Sequence, residues 1–257
     1  MNMLLDLEQI YHEFLLEQNK INQKERYTDE PTALHMSSGG HCYLKHWFAK
    51  HPEYIPEEND EQSMRVMRLG TLIHKDYENA IIWWLEKNYP DTYPHDVTME
   101  TKVYYSETVI GHPDIYIVAN TKDKLIVIDI KTTHSYKWDI MFGKLKDYNP
   151  NNFYEIQLAS YTMAIAKEKN IKLEHCEMYF FWYKKDNSEV RMTPLSNFYF
   201  AEASTYWKEV DYFVNNNDVN DIASIVPKHS AHCPNAKWEC GKYCSHSINC
   251  QLLTGSL

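Results

Sequence analysis

The chain has 257 residues, 44% hydrophobic and 24% charged, enough for one substantial core with a small appendage. Its seven glycines, with no Walker or dinucleotide fingerprint, argue against a glycine-rich phosphate loop. A formal net charge of −10 runs counter to the basic footprint of nucleic-acid binders, although Lys45, Lys50, Arg65, Arg68, Lys144 and Lys146 could line a local groove.

The opening residues MNMLLDLEQI carry no basic n-region or secretory h-region, and the apolar runs are too short to span a bilayer. An intracellular, cytoplasmic protein without a membrane segment is expected. Six cysteines there suggest metal or redox chemistry more than a disulfide framework.

Leu4, Leu7, Tyr11, Phe14 and Leu15 recur at helical spacing, predicting a core-packing helix over residues 4–23. Ser37 or Ser38 is placed to cap a short helix carrying Cys42 and ending near Lys50. An acidic, proline-bearing loop follows. A long helix is predicted over residues 62–88, with Met64, Met67, Leu72, Ile81, Ile82 and Leu85 as its buried side and Pro90 and Pro94 beyond its end. Inside it Gly70, His74 and Glu78 fall on one stripe. Glycine in mid-helix costs about 1 kcal/mol against alanine, so a strand or a nucleic-acid backbone is expected to approach closely there.

Residues 97–105 read as a strand, with Glu100 either an extra active-site carboxylate or an exposed strand residue. Residues 110–133 then read as a β-hairpin: an apolar run from Ile115 to Ala119, a polar turn over 120–123, and an apolar run from Leu125 to Ile130. A turn centred between Thr121 and Lys122 makes facing residues sum to 243, which sets Asp114 opposite Asp129 with Lys131 on the same face. Facing carboxylates repel, so one pKa rises or stability falls, and deleting one acid should relieve that repulsion. A divalent cation between them removes the conflict, and Lys131 supplies positive charge where an anionic transition state would sit. The pairing reads as a metal-dependent site for cleaving phosphodiesters.

Residues 134–152 look loop-rich. Their Trp138, Lys144 and Lys146 suit stacking on bases and holding phosphates, or else belong to an ordinary connection. A helix follows over 153–169, presenting Gln157 and Tyr161 side by side. Residues 176–183 form an aromatic, interior strand with Cys176 in the core, and residues 197–214 an amphipathic helix. The tail gathers Cys233, Cys240, Cys244 and Cys250 within eighteen residues, a metal-centre pattern whose soft thiolates suit zinc or an iron–sulfur cluster.

Pro113-Asp114 with Asp129-Ile130-Lys131 resembles the PD-(D/E)XK nuclease superfamily. Gly70-x-x-x-His74 ahead of the hairpin and Gln157-x-x-x-Tyr161 after it resemble the RecB-like nucleases, including the AddAB and CRISPR-adaptation (Cas-four type) branches. With an early cysteine and three late ones, the order is similar to the iron–sulfur branch, although Cys240-x3-Cys244 departs from the usual Cys-x2-Cys. The resemblance implies an α/β fold with a restriction-endonuclease-like core, a mixed central sheet flanked by helices. A cysteine-rich, metal-bound C-terminal segment would pack near the N-terminal helical region. Residues 1–60 would form that N-terminal region, 61–225 the nuclease core and 226–257 the cluster tail.

It further implies that His74, Asp114, Asp129 and the Ile130 carbonyl hold Mg²⁺ or Mn²⁺. Lys131, Gln157 and Tyr161 would act on the reacting groups. Cys42, Cys240, Cys244 and Cys250 would bind a cluster, 4Fe–4S or alternatively zinc, with Cys233 as the rival to Cys42. Arg68, Trp138, Lys144 and Lys146 would contact nucleic acid. The implied activity is a DNA exonuclease at single-stranded or free ends, with recombination, repair or CRISPR-adaptation proteins as possible partners. A structure-selective endonuclease, a spacer-processing subunit and a non-catalytic binding module stay open.

Overall fold

Strand β6 (Leu125–Thr133) is the middle of a five-stranded mixed sheet, and its neighbours follow from the hairpin and a helical crossover. Across one edge it pairs antiparallel with β5 (Ile115–Val118), which in turn pairs with β2 (Val97–Met99). Across the other it pairs parallel with β7 (Cys176–Lys184), which carries the edge strand β8 (Val190–Leu195). A smaller sheet joins β1 (Leu34–His35), β4 (Val109–Gly111) and β3 (Val103–Tyr104). The computed structural model describes residues 7–27, 32–57, 59–90, 97–119, 121–143, 152–224, 240 and 244–254.

Alternation along β7 buries Cys176, Met178, Phe180 and Trp182 on one face and leaves Tyr179, Phe181 and Tyr183 half-buried on the other. Helix α5 (Phe153–Lys169) covers the first face, and α6 (Tyr199–Asn216) packs behind it. With neighbours on both sides, α5 buries ten side chains and shows no polar stripe. This satisfies the rule that parallel strands need a crossover helix.

Helix α3 (Glu61–Asn88) crosses the second face, where Tyr77 packs on Phe181 at 4.4 Å. Its expected apolar side is largely uncovered: Met64 is buried, whereas Met67 is 46% and Leu72 51% exposed. The stripe that meets the sheet and the site is instead Gly70, His74, Tyr77 and Glu78, with Glu78 buried, and Leu72, two residues past Gly70, lies about 200° round the helix from it. Helix α1 (Leu7–Tyr27) packs on α3, but of its described side chains only Leu15 is buried.

Three further expectations are corrected. The strand read over 97–105 is split between the two sheets, because Glu100 adopts φ 48° and turns the chain. Its N–H donates to the carbonyls of Pro113 and Asp114 at 3.1 and 3.3 Å. The stretch after β6 is not all loop: α4 (Ser135–Met141) forms, its Ser135 N–H held by the Asp186 carboxylate at 2.5 Å. Cys42 itself, not a serine, occupies the N-cap position of α2 (Tyr43–Ala49), since Met36–Ser38 makes a separate 3₁₀ turn.

The two ends of the chain meet. Beyond α7 (Val219–Ser224), helix α8 (Ser247–Thr254) is tied to the segment before α3. Glu57 N–H donates to the Ser245 carbonyl at 2.6 Å and the Glu57 carboxylate accepts from Ile248 N–H at 2.6 Å. His246 stacks on Phe48 of α2 at 5.1 Å. The C-terminal segment therefore packs against the N-terminal region, as expected. Among the described residues, no helix is long and apolar enough to cross a membrane.

Gly111 on β4 is wedged under α5: a Cβ there would overlap the Tyr161 ring and lie 3.1 Å from the Met36 Cβ. Gly111→Ala is expected to cost about 1–3 kcal/mol through overpacking. Urea denaturation checks this, and a change within experimental error would show that α5 yields freely.

Candidate active site

The β5–β6 ladder pairs Ile115 with Ile128 and Val118 with Leu125, each pair summing to 243. Ala119 N–H donates to the Lys124 carbonyl at 2.9 Å, closing the loop in the same register. Asp114, one step before β5, is thereby brought opposite Asp129, and its Oδ2 accepts from Ile130 N–H at 2.5 Å. Asp114 is 8% and Asp129 1% exposed, so both acids sit under the α5 layer and out of bulk water.

Each acid faces a basic group. Lys131 Nζ lies 2.6 Å from Asp129 Oδ2. His74 Nδ1 reaches Asp114 Oδ1 at 3.4 Å from α3, on the opposite layer. Lys131 also donates to Gln157 Oε1 at 2.9 Å, and Gln157 Nε2 donates to the Tyr161 hydroxyl at 2.9 Å. One chain of contacts thus runs Asp129, Lys131, Gln157, Tyr161, linking β6 to one face of α5. His74, Asp114, Asp129, Ile130, Lys131, Gln157 and Tyr161 are all brought together here.

Gly70 explains how α3 comes this close. A Cβ at Gly70 would stand 3.3 Å from Thr132 Oγ1 on β6, so the approach expected from the sequence is that of a strand. His74, one turn on, is set over the hairpin. Glu78, a further turn on, is buried and accepts from Lys75 at 3.0 Å.

Burial pushes the Asp129 carboxyl up to about 6; Lys131 opposes that rise and Asp114 adds to it. For Lys131, burial favours loss of the proton, but Asp129 and Asp114 outweigh it and hold the ammonium above its ordinary range. His74 follows the same logic: burial lowers it, and the Asp114 contact more than restores it.

The ion pair does not exhaust Asp129. Lys131 Nζ approaches outside hydrogen-bonding angles, so the buried Oδ2 keeps an unmatched lone pair. Two acids and an imidazole with acceptor capacity to spare form the oxygen-rich donor set that hard divalent cations take. Among the described residues, no three His, Cys, Asp or Glu side chains stand together as a closed metal-binding group. The imidazole and ammonium occupy the acids instead.

Cys42, Cys240, Cys244 and Cys250 line one cavity with Phe48 and His246, and no disulfide joins the described cysteines. Burial pushes the Cys250 thiol up to about 12, with Cys42, Cys244 and Cys240 adding to it. Cys233 lies outside the described residues, as do Lys144 and Lys146.

One expected nucleic-acid contact is placed otherwise. Trp138 is 1% exposed and packs on Phe142 at 4.5 Å, so it is a core residue that no base can reach. Arg68 lies over the Phe14 ring of α1 at 5.9 Å. Tyr154 escaped the sequence reading, though it lies one turn before Gln157. Its ring is 4.9 Å from Lys131 Nζ and 3.9 Å from Lys137 Nζ.

The model of the PD-(D/E)XK nuclease superfamily matches residues 75–251. No curated protein matches the chain. Among solved structures, SSO0001 is similar at 17% identity and a TM-score of 0.50, covering 93% of this chain and 95% of its own. A candidate exonuclease from Eubacterium rectale shares 13% identity, with a TM-score of 0.48 over 74% of this chain and 85% of its own. The alkaline exonuclease LHK-Exo from Laribacter hongkongensis shares 12%, with a TM-score of 0.39 over 75% and 94%.

The pairing of Asp129 with Lys131 corrects the expectation that deleting an acid relieves repulsion. Asp129→Ala leaves a largely buried ammonium short of its partner, and breaking such a pair costs roughly 3 kcal/mol or more. The metal-free variant is expected to unfold at lower urea than wild type, and Asp129→Ala/Lys131→Met to recover most of the loss. A single variant as stable as wild type would mean that repulsion, not pairing, dominates.

Proposed function

Because the chain belongs to the PD-(D/E)XK nuclease superfamily, we propose that it is a Mg²⁺- or Mn²⁺-dependent deoxyribonuclease that degrades DNA from free, single-stranded ends. The observation that carries this reading is the chain of contacts from Asp129 through Lys131 to Gln157 and Tyr161, set beside Asp114 and His74. A hairpin with only a structural role has no use for two buried facing acids and a lysine held between two layers. The choice of end-directed degradation rests on the motif order shared with the RecB-like enzymes.

His74, Asp114, Asp129 and the Ile130 carbonyl would hold the cation. When bound, it supplies Lewis-acid polarisation of the scissile phosphate and a lowered pKa for the attacking water. The protein's own residues do the rest. Lys131, kept protonated by the neighbouring acids, presents its ammonium to the oxygens on which charge grows. Gln157 fixes the ammonium's position, and Tyr161 fixes Gln157, so little reorganisation is needed during the reaction. Ile130 N–H holds one Asp114 oxygen, orienting the carboxylate toward its partner acid.

We propose further that Cys42, Cys240, Cys244 and Cys250 bind a 4Fe–4S cluster, with zinc as the alternative occupant. Their shared cavity, which all four cysteines line, supports this. Such a cross-link would join α2 to α8 and constrain a loop of nearly the whole chain, which stabilises more than a local clip.

Lys131→Ala is expected to lower single-turnover cleavage of end-labelled DNA by ~10²–10³ while Mn²⁺ affinity changes little. Wild-type cleavage should require Mg²⁺ or Mn²⁺ and stop in EDTA. Unchanged turnover at saturating metal would remove Lys131 from the chemistry, and cleavage in EDTA would overturn the metal-dependent reading.

Protein purified without oxygen is expected to be brown. Cys42→Ser should bleach it and lower its melting temperature, whereas Cys233→Ser should do neither. A colourless protein with stoichiometric zinc, indifferent to Cys42→Ser, would assign a local site to the tail cysteines.

A further inference from the structure

The contacts of Lys131 with Asp129 and Gln157 leave other cations beside it with no role in the chemistry above. Tyr154 is their hub. It lies on α5 one turn before Gln157, on the side that meets Lys131 at 4.9 Å. Lys137, on the first turn of α4, stands 3.9 Å from the same ring. Lys185, just past the end of β7, is the third. Its N–H donates to the Thr133 carbonyl at 2.8 Å, and its ammonium reaches the Val66 carbonyl of α3 at 3.4 Å. Asp186, the next residue, accepts from the Ser135 N–H at the start of α4, which sets Lys185 beside the helix that carries Lys137.

Two carboxylates approach this group. Asp186 is engaged by the Ser135 N–H at 2.5 Å and by His134 at 3.4 Å. Glu155 is raised by burial against the pull of Lys137 and Lys131, so its charged form is disfavoured where it sits. Among the described residues, no salt bridge joins Lys137 or Lys185 to a carboxylate, so neither ammonium is spent on one. The Tyr154 ring is engaged by the Lys131 and Lys137 ammonium groups and by the Trp182 ring at 5.9 Å, so its hydroxyl, not stacking, is what it offers. Two ammonium groups and a phenol O–H suit a phosphate diester. In a chain of net charge −10, such a concentration of positive charge at one side of the site is not a by-product of composition.

We propose that Tyr154, Lys137 and Lys185 form a phosphate subsite that grips a single DNA strand at the phosphate next to the one cleaved. This rests on the nuclease reading. The subsite positions the strand; it does not touch the reacting atoms. Each lysine would displace condensed counterions from the strand, so each contributes to the salt dependence of binding.

The test is fluorescence anisotropy of a labelled oligothymidylate, titrated with the full-length protein in Ca²⁺ at several salt concentrations. For wild type, log affinity falls linearly with log salt. Lys137→Ala and Lys185→Ala are each expected to flatten that slope by about 0.7, the single-strand value per phosphate contact, and to weaken binding at low salt. Lys137→Arg should restore the slope. Tyr154→Phe should weaken binding with the slope unchanged, since it removes a neutral donor. A packing role would not move the slope. If wild type binds and cleaves but both alanine variants keep its slope, the subsite is wrong and the nuclease reading stands. If wild type neither binds the oligonucleotide nor cleaves it in Mn²⁺, both fall together.

Discussion

The hydrogen bond from Ile130 N–H to the Asp114 carboxylate fixes the site's geometry, and the hairpin register makes it possible. A slip of one residue would turn Asp129 and Lys131 to the α3 side and send Ile128 and Ile130 toward α5. The register is pinned by the apolar pairs of β5 and β6 and by the closed loop at Ala119 and Lys124. The acids are thus placed by hydrophobic alternation along strands that have no chemistry of their own. Stability lost by burying two carboxylates is offset by pairing each with a basic group, Lys131 two residues along the same strand for Asp129 and His74 of α3 for Asp114.

The same constraint explains why the site needs two layers. Lys131 and the acids stand on the α5 side of β6, where Gln157 and Tyr161 meet them. His74 arrives from α3 on the other side and is admitted only because Gly70 lets that helix close on Thr132. The Gly111 position does the matching job under Tyr161. Both helices are therefore held near the sheet at points where a side chain is missing. Packing and site geometry are set by the same residues.

How much of this was legible in the sequence follows from the range of each signal. The register of the hairpin is local, period-two information and was readable to the residue, whereas β6 runs on to Thr133 and residues 110–111 belong to the smaller sheet. Gln157 and Tyr161 were readable because i, i+4 spacing guarantees adjacency on a helix. The strand break at Glu100 was not: a left-handed residue other than glycine or asparagine gives little compositional warning. Strand β8 was missed because it is an exposed edge strand of mixed character carrying Pro194, a residue tolerated only at such edges. Trp138 misled because the sequence does not say whether an aromatic in a polar stretch points inward. The exposed apolar residues of α3 misled for a related reason, since periodicity identifies a face but not what covers it.

The acidity of the chain looks at odds with a DNA substrate only while charge is summed over the whole molecule. Coulomb interactions between exposed charges fade beyond a Debye length of about 8–10 Å at ordinary ionic strength, so a strand in the cleft senses its immediate walls. Those walls carry Lys131, Lys137 and Lys185, while Asp186 and Glu155 are engaged or shifted by burial. The buried acids Asp114 and Asp129 lie at the centre, where a cation is proposed to offset them. An overall negative charge with a locally positive lining also disfavours non-specific adhesion of duplex DNA to the outer surface. Such a charge pattern would favour a single strand reaching the site, in keeping with the proposed action on free single-stranded ends.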